Sequence, residues 1–170
     1  MEFQQISRAD GARRVNETTA QNALAAGTVV LTLDGALPVE FINEGDRVIT
    51  RDSGMAVVRK VRRTTQRSKA IAIKAGSLGN NRPDRDAVLP ANQEILVRDW
   101  RAEALFGASQ ALVSASRLVD GEFVRDLGTR EIDMIELIFD TPHILYADGL
   151  EVASATAETA SSDTQDAIAA

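Results

Sequence analysis

The sequence predicts an all-β domain, and three observations carry that expectation. From about Thr28 the chain breaks into short apolar runs rich in β-branched residues. Each run closes on a turn signal: Asp34-Gly35, Glu44-Gly45-Asp46, Asp52-Ser53-Gly54, Asp120-Gly121 or Asp148-Gly149. The third observation is period-two alternation, strict in Lys69-Ala70-Ile71-Ala72-Ile73-Lys74 and looser from Val57 to Val61, which is the mark of strands with one buried and one wet face.

Taken in order, residues 1–22 are polar and mixed, with Phe3, Ile6 and Val15 as their apolar anchors, and read as a loosely ordered lead-in with one short helical turn. Residues 23–154 hold the β domain. Within it the runs around Val57–Val61 and Lys69–Lys74 are expected to pair as a hairpin. Gly79-Asn80-Asn81-Arg82-Pro83-Asp84 is a polar breaker. Residues 155–170, built almost wholly of Ala, Ser, Thr, Asp and Glu, read as a flexible acidic tail. Alternation places Val30, Leu31, Val39, Phe41, Val48, Ile49, Ile71, Ile73, Ile95, Leu96, Leu118, Ile135, Leu137 and Leu145 in the core. Sliding the chain by 65 positions sets Leu31 on Leu96, Asp34 on Asp99, Phe41 on Phe106 and Val48 on Val113, with Val30 over Ile95. That offset suggests two similar β units related by pseudo-symmetry.

Composition narrows the chemistry. The 170 residues are 44% hydrophobic, enough for the core of one domain. Cysteine is absent, which excludes disulfides, thiolate metal sites and cysteine nucleophiles. A single histidine, His143, cannot build a multi-histidine metal site or a relay; following Pro142 among alternating apolar residues, it reads as a partly buried structural histidine. No apolar run reaches the roughly 18 to 20 residues of a membrane-spanning helix, so no membrane association is expected. The N-terminus lacks the apolar core of a signal peptide and shows no lipidation site. No cofactor is expected. Asn80, Asn81, Asp84 and Asp86 could offer oxygens to calcium, but they lack the spacing and glycine of a calcium loop and read as turn formers, so no metal site is assigned.

Net charge is −6, from 19 basic and 25 acidic residues, and it is unevenly spread. Between Ser53 and Pro83 lie eight basic residues, Arg59, Lys60, Arg62, Arg63, Arg67, Lys69, Lys74 and Arg82, and no acid. The rest of the chain carries −14. Such a dipole orients a basic face onto an acidic protein surface or lets copies meet head to tail. The candidate binding residues are Arg59, Lys60, Arg62, Arg63, Arg67 and Lys69, and a solvated strand face is the competing reading. Nucleic acid is disfavoured as a partner, because the segment contains no aromatic residue for base stacking.

Leu24-Ala25-Ala26-Gly27-Thr28, then Val30-Leu31-Thr32 closed by Asp34-Gly35, then Val39-Glu40-Phe41-Ile42-Asn43-Glu44-Gly45-Asp46-Arg47-Val48-Ile49-Thr50 resembles the opening of a Hint domain, the fold shared by inteins and Hedgehog autoprocessing modules. Ile71 to Asn80, Ser116 to Gly121 and Tyr146 to Leu150 look like a bacterial Hint subfamily of about this length. The likeness runs from about Ala23 to Ser154, and the internal pseudo-twofold of that family agrees with the 65-residue offset. It implies a Hint-type all-β fold.

By the same resemblance, Ala23 occupies the position of the family's nucleophile, usually Cys. Hint chemistry needs a thiol or hydroxyl there to attack the preceding carbonyl. It also needs a histidine in a Thr-x-x-His step to protonate the departing amide nitrogen. Here that step reads Pro90-Ala91-Asn92-Gln93, and Gln93 can donate a hydrogen bond but cannot shuttle a proton. The likeness ends at Glu151-Val152-Ala153-Ser154, with no terminal Asn to cyclise. An engineered Cys-to-Ala trap accounts for Ala23 alone, whereas natural degeneration accounts for all three losses. The expected function is a non-catalytic Hint-like domain, a protein-binding or structural subunit of a larger assembly such as a virion, tail or surface component. The Met1 start and short flanks fit a free-standing subunit. The alternative is an autoprocessing module inactivated at its nucleophile.

Overall fold

The computed structural model describes residues 21–156, so the lead-in at 1–20 and the tail from 157 onward lie outside the described residues. In chain order the elements are β1 (Leu24–Ala25), β2 (Val29–Thr32), β3 (Gly35–Pro38), β4 (Arg47–Thr50), β5 (Gly54–Val57), β6 (Lys60–Ile73), β7 (Ala87–Pro90), β8 (Glu94–Val97), α1 (Trp100–Phe106), β9 (Ala111–Ser114), β10 (Val124–Ile138), β11 (Ile144–Ala147) and β12 (Leu150–Ala153). A smaller sheet runs β1-β10-β6-β7, and a larger one runs β3-β2-β4-β11-β12-β8-β9 with β5 paired to β4. The all-β expectation holds, with α1 as the one short α-helix among the described residues. Asp99 caps it by accepting the Arg101 amide, and Gly107, at φ 70°, ends it in the left-handed conformation.

Turn chemistry places the strands. At the β11–β12 hairpin Ala147 pairs with Leu150, so Asp148 and Gly149 are the whole loop. Both have positive φ, 50° and 80°, which is the type I′ geometry that matches the twist of paired strands. Gly149 has a second reason to be glycine: a Cβ there would sit 2.6 Å or less from the carboxylate atoms of Asp84. The Gly76–Asp86 loop thereby packs against the larger sheet.

Two expectations are corrected. Val57–Val61 and Lys69–Lys74 do not form a hairpin: Val57 closes β5, while Val61 and Lys69 to Ile73 belong to the single 14-residue strand β6. The intervening Arg62-Arg63-Thr64-Thr65-Gln66-Arg67-Ser68 holds no turn former, and its two threonines favour continued strand. The partner of β6 is β10, 15 residues long, in antiparallel register along its length apart from one irregularity near Asp126.

The second correction concerns the core. Val30, Val39, Val48, Ile71, Ile73, Ile95, Leu118, Ile135, Leu137 and Leu145 are buried as expected, but Leu31 and Phe41 are exposed and Ile49 and Leu96 only half-buried. Strand geometry forbids Val30 and Leu31, Val48 and Ile49, or Ile95 and Leu96 from sharing a face. In each pair the first residue points inward and the second outward. Phe41 ends a one-turn 3-10 helix and projects into solvent.

The 65-residue offset is visible in the architecture. β2 and β8 are displaced by that interval at both ends, β6 and β10 by nearly the same, and Val48 and Val113 are both buried. The correspondence stops at β3, whose counterpart in the second unit is the helix α1.

Candidate functional site

The first and last parts of the domain meet at Gln93. This residue lies in the tight β7–β8 turn, where its amide donates to the Pro90 carbonyl and its own carbonyl accepts from Ala115. Its side chain is fully buried, and Nε2 faces three oxygens: Glu94 O and Ala153 O at 2.9 Å and Asn22 Oδ1 at 3.3 Å. Asn22 precedes β1 with φ 62°, a left-handed conformation that asparagine tolerates better than most residues. Its Oδ1 also accepts from the Glu94 amide at 2.9 Å, while Nδ2 donates to Glu94 Oε1 at 3.1 Å and to the Ser154 carbonyl at 3.3 Å. Asn22 and Ser154, 132 positions apart, are therefore in direct contact.

Ala23 sits beside this knot, 1% exposed, in an apolar cluster with Ala70, Ile132 and Met134. A methyl group suits that environment. Ala153 and Ser154 close the other side. The Ser154 hydroxyl accepts the His143 amide at 3.0 Å, and the Ser154 amide donates to the His143 carbonyl at 2.9 Å. The Oε1 atom of Gln93 is buried without a hydrogen-bond partner among the described residues. Sequence reasoning picked Ala23 and Gln93 and missed Asn22 and Glu94. The signal for Asn22 was its place directly ahead of Ala23, the position the resemblance had singled out.

His143 is partly buried, as expected. Its Nδ1 lies 2.9 Å from Asp52 Oδ2 and 3.3 Å from Ser53 Oγ, its Nε2 lies 3.2 Å from Thr141 Oγ1, and the ring meets Phe139 edge-on. Burial works against the charge on Asp52, yet the Ile144 amide and His143 together hold its carboxyl below the ordinary aspartate value. The imidazole thus ties the β4–β5 turn to the approach to β11. His143 meets the Gln93 knot through its own backbone, which bonds the hydroxyl and the amide of Ser154.

Asp84 packs against Gly149 and Asp86 accepts the Ala75 amide, so both serve the loop they belong to. The basic residues lie mainly along β6, facing the acids of β10. Register sets Arg67 opposite Glu131 and Arg62 opposite Glu136, and Arg62 pairs at 3.7 Å with the buried Glu136 carboxylate. Lys69 pairs with Asp126 and Arg59 with Asp140, while Arg63 donates to the Glu40 and Ile42 carbonyls. Lys60 is exposed at the start of the strand. Basic residues of β6 thus meet acids of β10 at Arg62–Glu136, Arg67–Glu131 and Lys69–Asp126.

A second charged group escaped the sequence reading. Glu151, in the middle of β12, is buried under three arginines: Arg98 holds it through Nε and Nη2 at 3.0 and 2.8 Å, Arg82 at 2.9 Å and Arg51 at 3.3 Å. Its signal was an acid between Leu150 and Val152 in an otherwise apolar strand.

A family model described as Hint domain matches residues 22–159. Among solved structures the chain is similar to the gp41-1 intein, at 19% identity and a TM-score of 0.50, covering 76% of this chain and 96% of that one. It is also similar to a bacterial intein-like domain from Clostridium thermocellum (16% identity, TM-score 0.52, 80% and 99% covered) and to a DnaB intein from Synechocystis sp. PCC 6803 (12% identity, TM-score 0.53, 78% and 98% covered). Comparison with curated proteins by sequence gave no match. With its fold, its convergent ends and the family match over residues 22–159, the chain belongs to the Hint domain family.

Proposed function

We propose that this protein is a non-catalytic Hint-like domain, a protein-binding or structural subunit of a larger assembly such as a virion, tail or surface component. One observation carries the reading. By the family resemblance the position of the attacking group falls on Ala23 and that of the proton donor on Gln93, and these carry a buried methyl and a buried amide. An amide nitrogen leaves only when protonated, and neither residue attacks or protonates. The hydrogen bonds of Gln93 to Asn22 and Ala153 instead fasten the two ends of the domain. Arg67 and Lys69, exposed on the same face of β6, are where the basic segment is open to a protein partner.

The convergence of Asn22 and Ser154 favours a second reading, an autoprocessing module inactivated at its nucleophile, since joining or releasing flanks requires both junctions in one place. A reporter fused ahead of Ala23 separates the readings from residual activity. Intact mass is expected to stay unchanged after prolonged incubation with thiol or hydroxylamine, and accumulation of free reporter would overturn the non-catalytic assignment.

A further inference from the structure

The larger sheet has an outer face that is mostly apolar. Residues on its strands that alternate with the buried ones line up across it: Leu112 pairs with Leu96, Glu151 with Tyr146 and Ile49 with Met55. The neighbouring pairs Val152–Ile95, Leu145–Thr50 and Ala147–Val30 place Leu96 beside Glu151, and Tyr146 beside both Ile49 and Leu31. Leu31, Met55 and Leu112 are exposed, at 38%, 41% and 45%. One contiguous row therefore crosses the sheet, with apolar side chains at both ends and the Glu151 carboxylate between them.

The charge in that row is unbalanced. Among the described residues Arg51, Arg82 and Arg98 all direct their ion pairs to the single carboxylate of Glu151, which leaves two positive charges over in this group. Each guanidinium has five N–H donors, and Glu151 engages one or two from each. The arginine side chains keep between 16% and 34% of their surface open to solvent. Spare donors in a fixed fork are suited to a second carboxylate. A small free anion would make no use of the leucines and methionine on either side, whereas a protein segment would cover them.

We propose that this face docks a partner protein segment that delivers a carboxylate, flanked by apolar side chains, onto Arg51, Arg82 and Arg98. The proposal rests on the binding-module reading and names its surface and the chemistry of its partner. It places the main contact on the larger sheet, away from the laced β6–β10 pair.

The test is a titration of the full-length ¹⁵N-labelled protein with a blocked Leu-Leu-Glu-Leu-Leu peptide and its Gln counterpart, followed by NMR. Shifts are expected at the amides of Leu31, Ile49, Met55, Leu96 and Leu112 and at the arginine Nε–H signals. The Gln peptide should bind about tenfold more weakly, the loss of one charge-assisted contact. Arg51→Gln leaves Arg82 and Arg98 on Glu151, so the melting temperature should hold while the preference for Glu over Gln shrinks. Equal binding of the two peptides, or the same shifts from sodium acetate alone, would overturn the proposal. So would a several-fold gain in peptide affinity on deleting residues 157–170, which would make the chain's own tail the occupant. A wild-type dimer that Leu31→Ser with Leu112→Ser dissolves would assign the face to a second copy and overturn it too. The reporter assay reads the non-catalytic assignment independently of this titration.

Discussion

At the scale of single residues, the proposed function turns on Gln93. Its buried amide donates to carbonyls on both sides of the site, so Ala23→Cys alone supplies a nucleophile without a proton donor. No measurable cleavage of an N-terminal reporter is expected from that variant. The double variant with Gln93→His is the fair test, since general acid assistance is worth about 10² to 10⁴ in rate. Efficient processing by Ala23→Cys by itself would contradict this account of Gln93. Two aspartates contribute to the acid limb of stability. Asp120 accepts the Val124, Glu122 and Phe123 amides, and Asp52 is held by the Ile144 amide and His143 against the cost of burial, so both titrate below their unfolded value. Their stabilisation is full above about pH 4 and is lost as pH falls through the lower folded values. Asp148 has the opposite sign, because burial raises it beyond what the Val29 amide and Arg85 offset. Melting temperatures from pH 6 to pH 2 should fall steeply for wild type and less steeply for Asp120→Asn, which keeps the accepting oxygen but not the charge. Parallel curves would remove Asp120 from the acid limb. Ala23 and Gln93 were legible from motif order, but Asn22 and the arginines on Glu151 were not, because their partners lie 53 to 132 positions away.

At the scale of elements, β6 shows what local pattern leaves undetermined. Alternation marked Lys69–Ile73 as strand, and Ile71 and Ile73 are fully buried. The run Val57–Val61 was read as a separate hairpin arm because the role of the charged stretch that follows it depends on β10. Once Glu131 and Glu136 stand opposite Arg67 and Arg62, the basic residues are part of the ladder. Cross-strand pairs of opposite charge stabilise a sheet, and like charges directly opposite destabilise it. Arg62→Glu would leave the buried Glu136 facing a second carboxylate, so charge reversal along β6 is expected to weaken the fold and cannot report on partner contacts alone. Ile73→Ala should cost about 2 to 5 kcal/mol in chemical denaturation, as expected for a filled core site. Arg62→Glu should also lower the denaturation midpoint, while Leu31→Ala, on the outer face, should leave it nearly unchanged. A Leu31→Ala loss equal to that of Ile73→Ala would show that the outward face had been misassigned.

At the scale of the whole molecule, two similar β units enclose a core and bring the ends of the described domain together. The offset read from a handful of matching residues corresponds to β2 with β8 and β6 with β10, the strand pairs that organise the two sheets. It could not show that α1 replaces β3, because Asp99 caps a helix where Asp34 forms a hairpin turn. The ends meet: Asn22 contacts Ser154, and Ala155 is buried against Ile138. Stability should therefore depend little on which covalent bond in the ring is open, provided the opening falls at an exposed loop. A circular permutant joining Thr156 to Gln21 through a short Gly/Ser linker and opened between Ser109 and Gln110, both exposed, should unfold cooperatively within a few degrees of the parent. Opening the chain between Gln66 and Arg67 is the control. Those residues pair with Ile132 and Glu131 near the middle of the two long strands, so a break there divides the β6–β10 ladder and should yield a chain without a cooperative transition. If both permutants melt like the parent, the long strands are not what holds the halves together. If the Ser109 opening fails, the contacts of Asn22 and Gln93 do not suffice to close the ring.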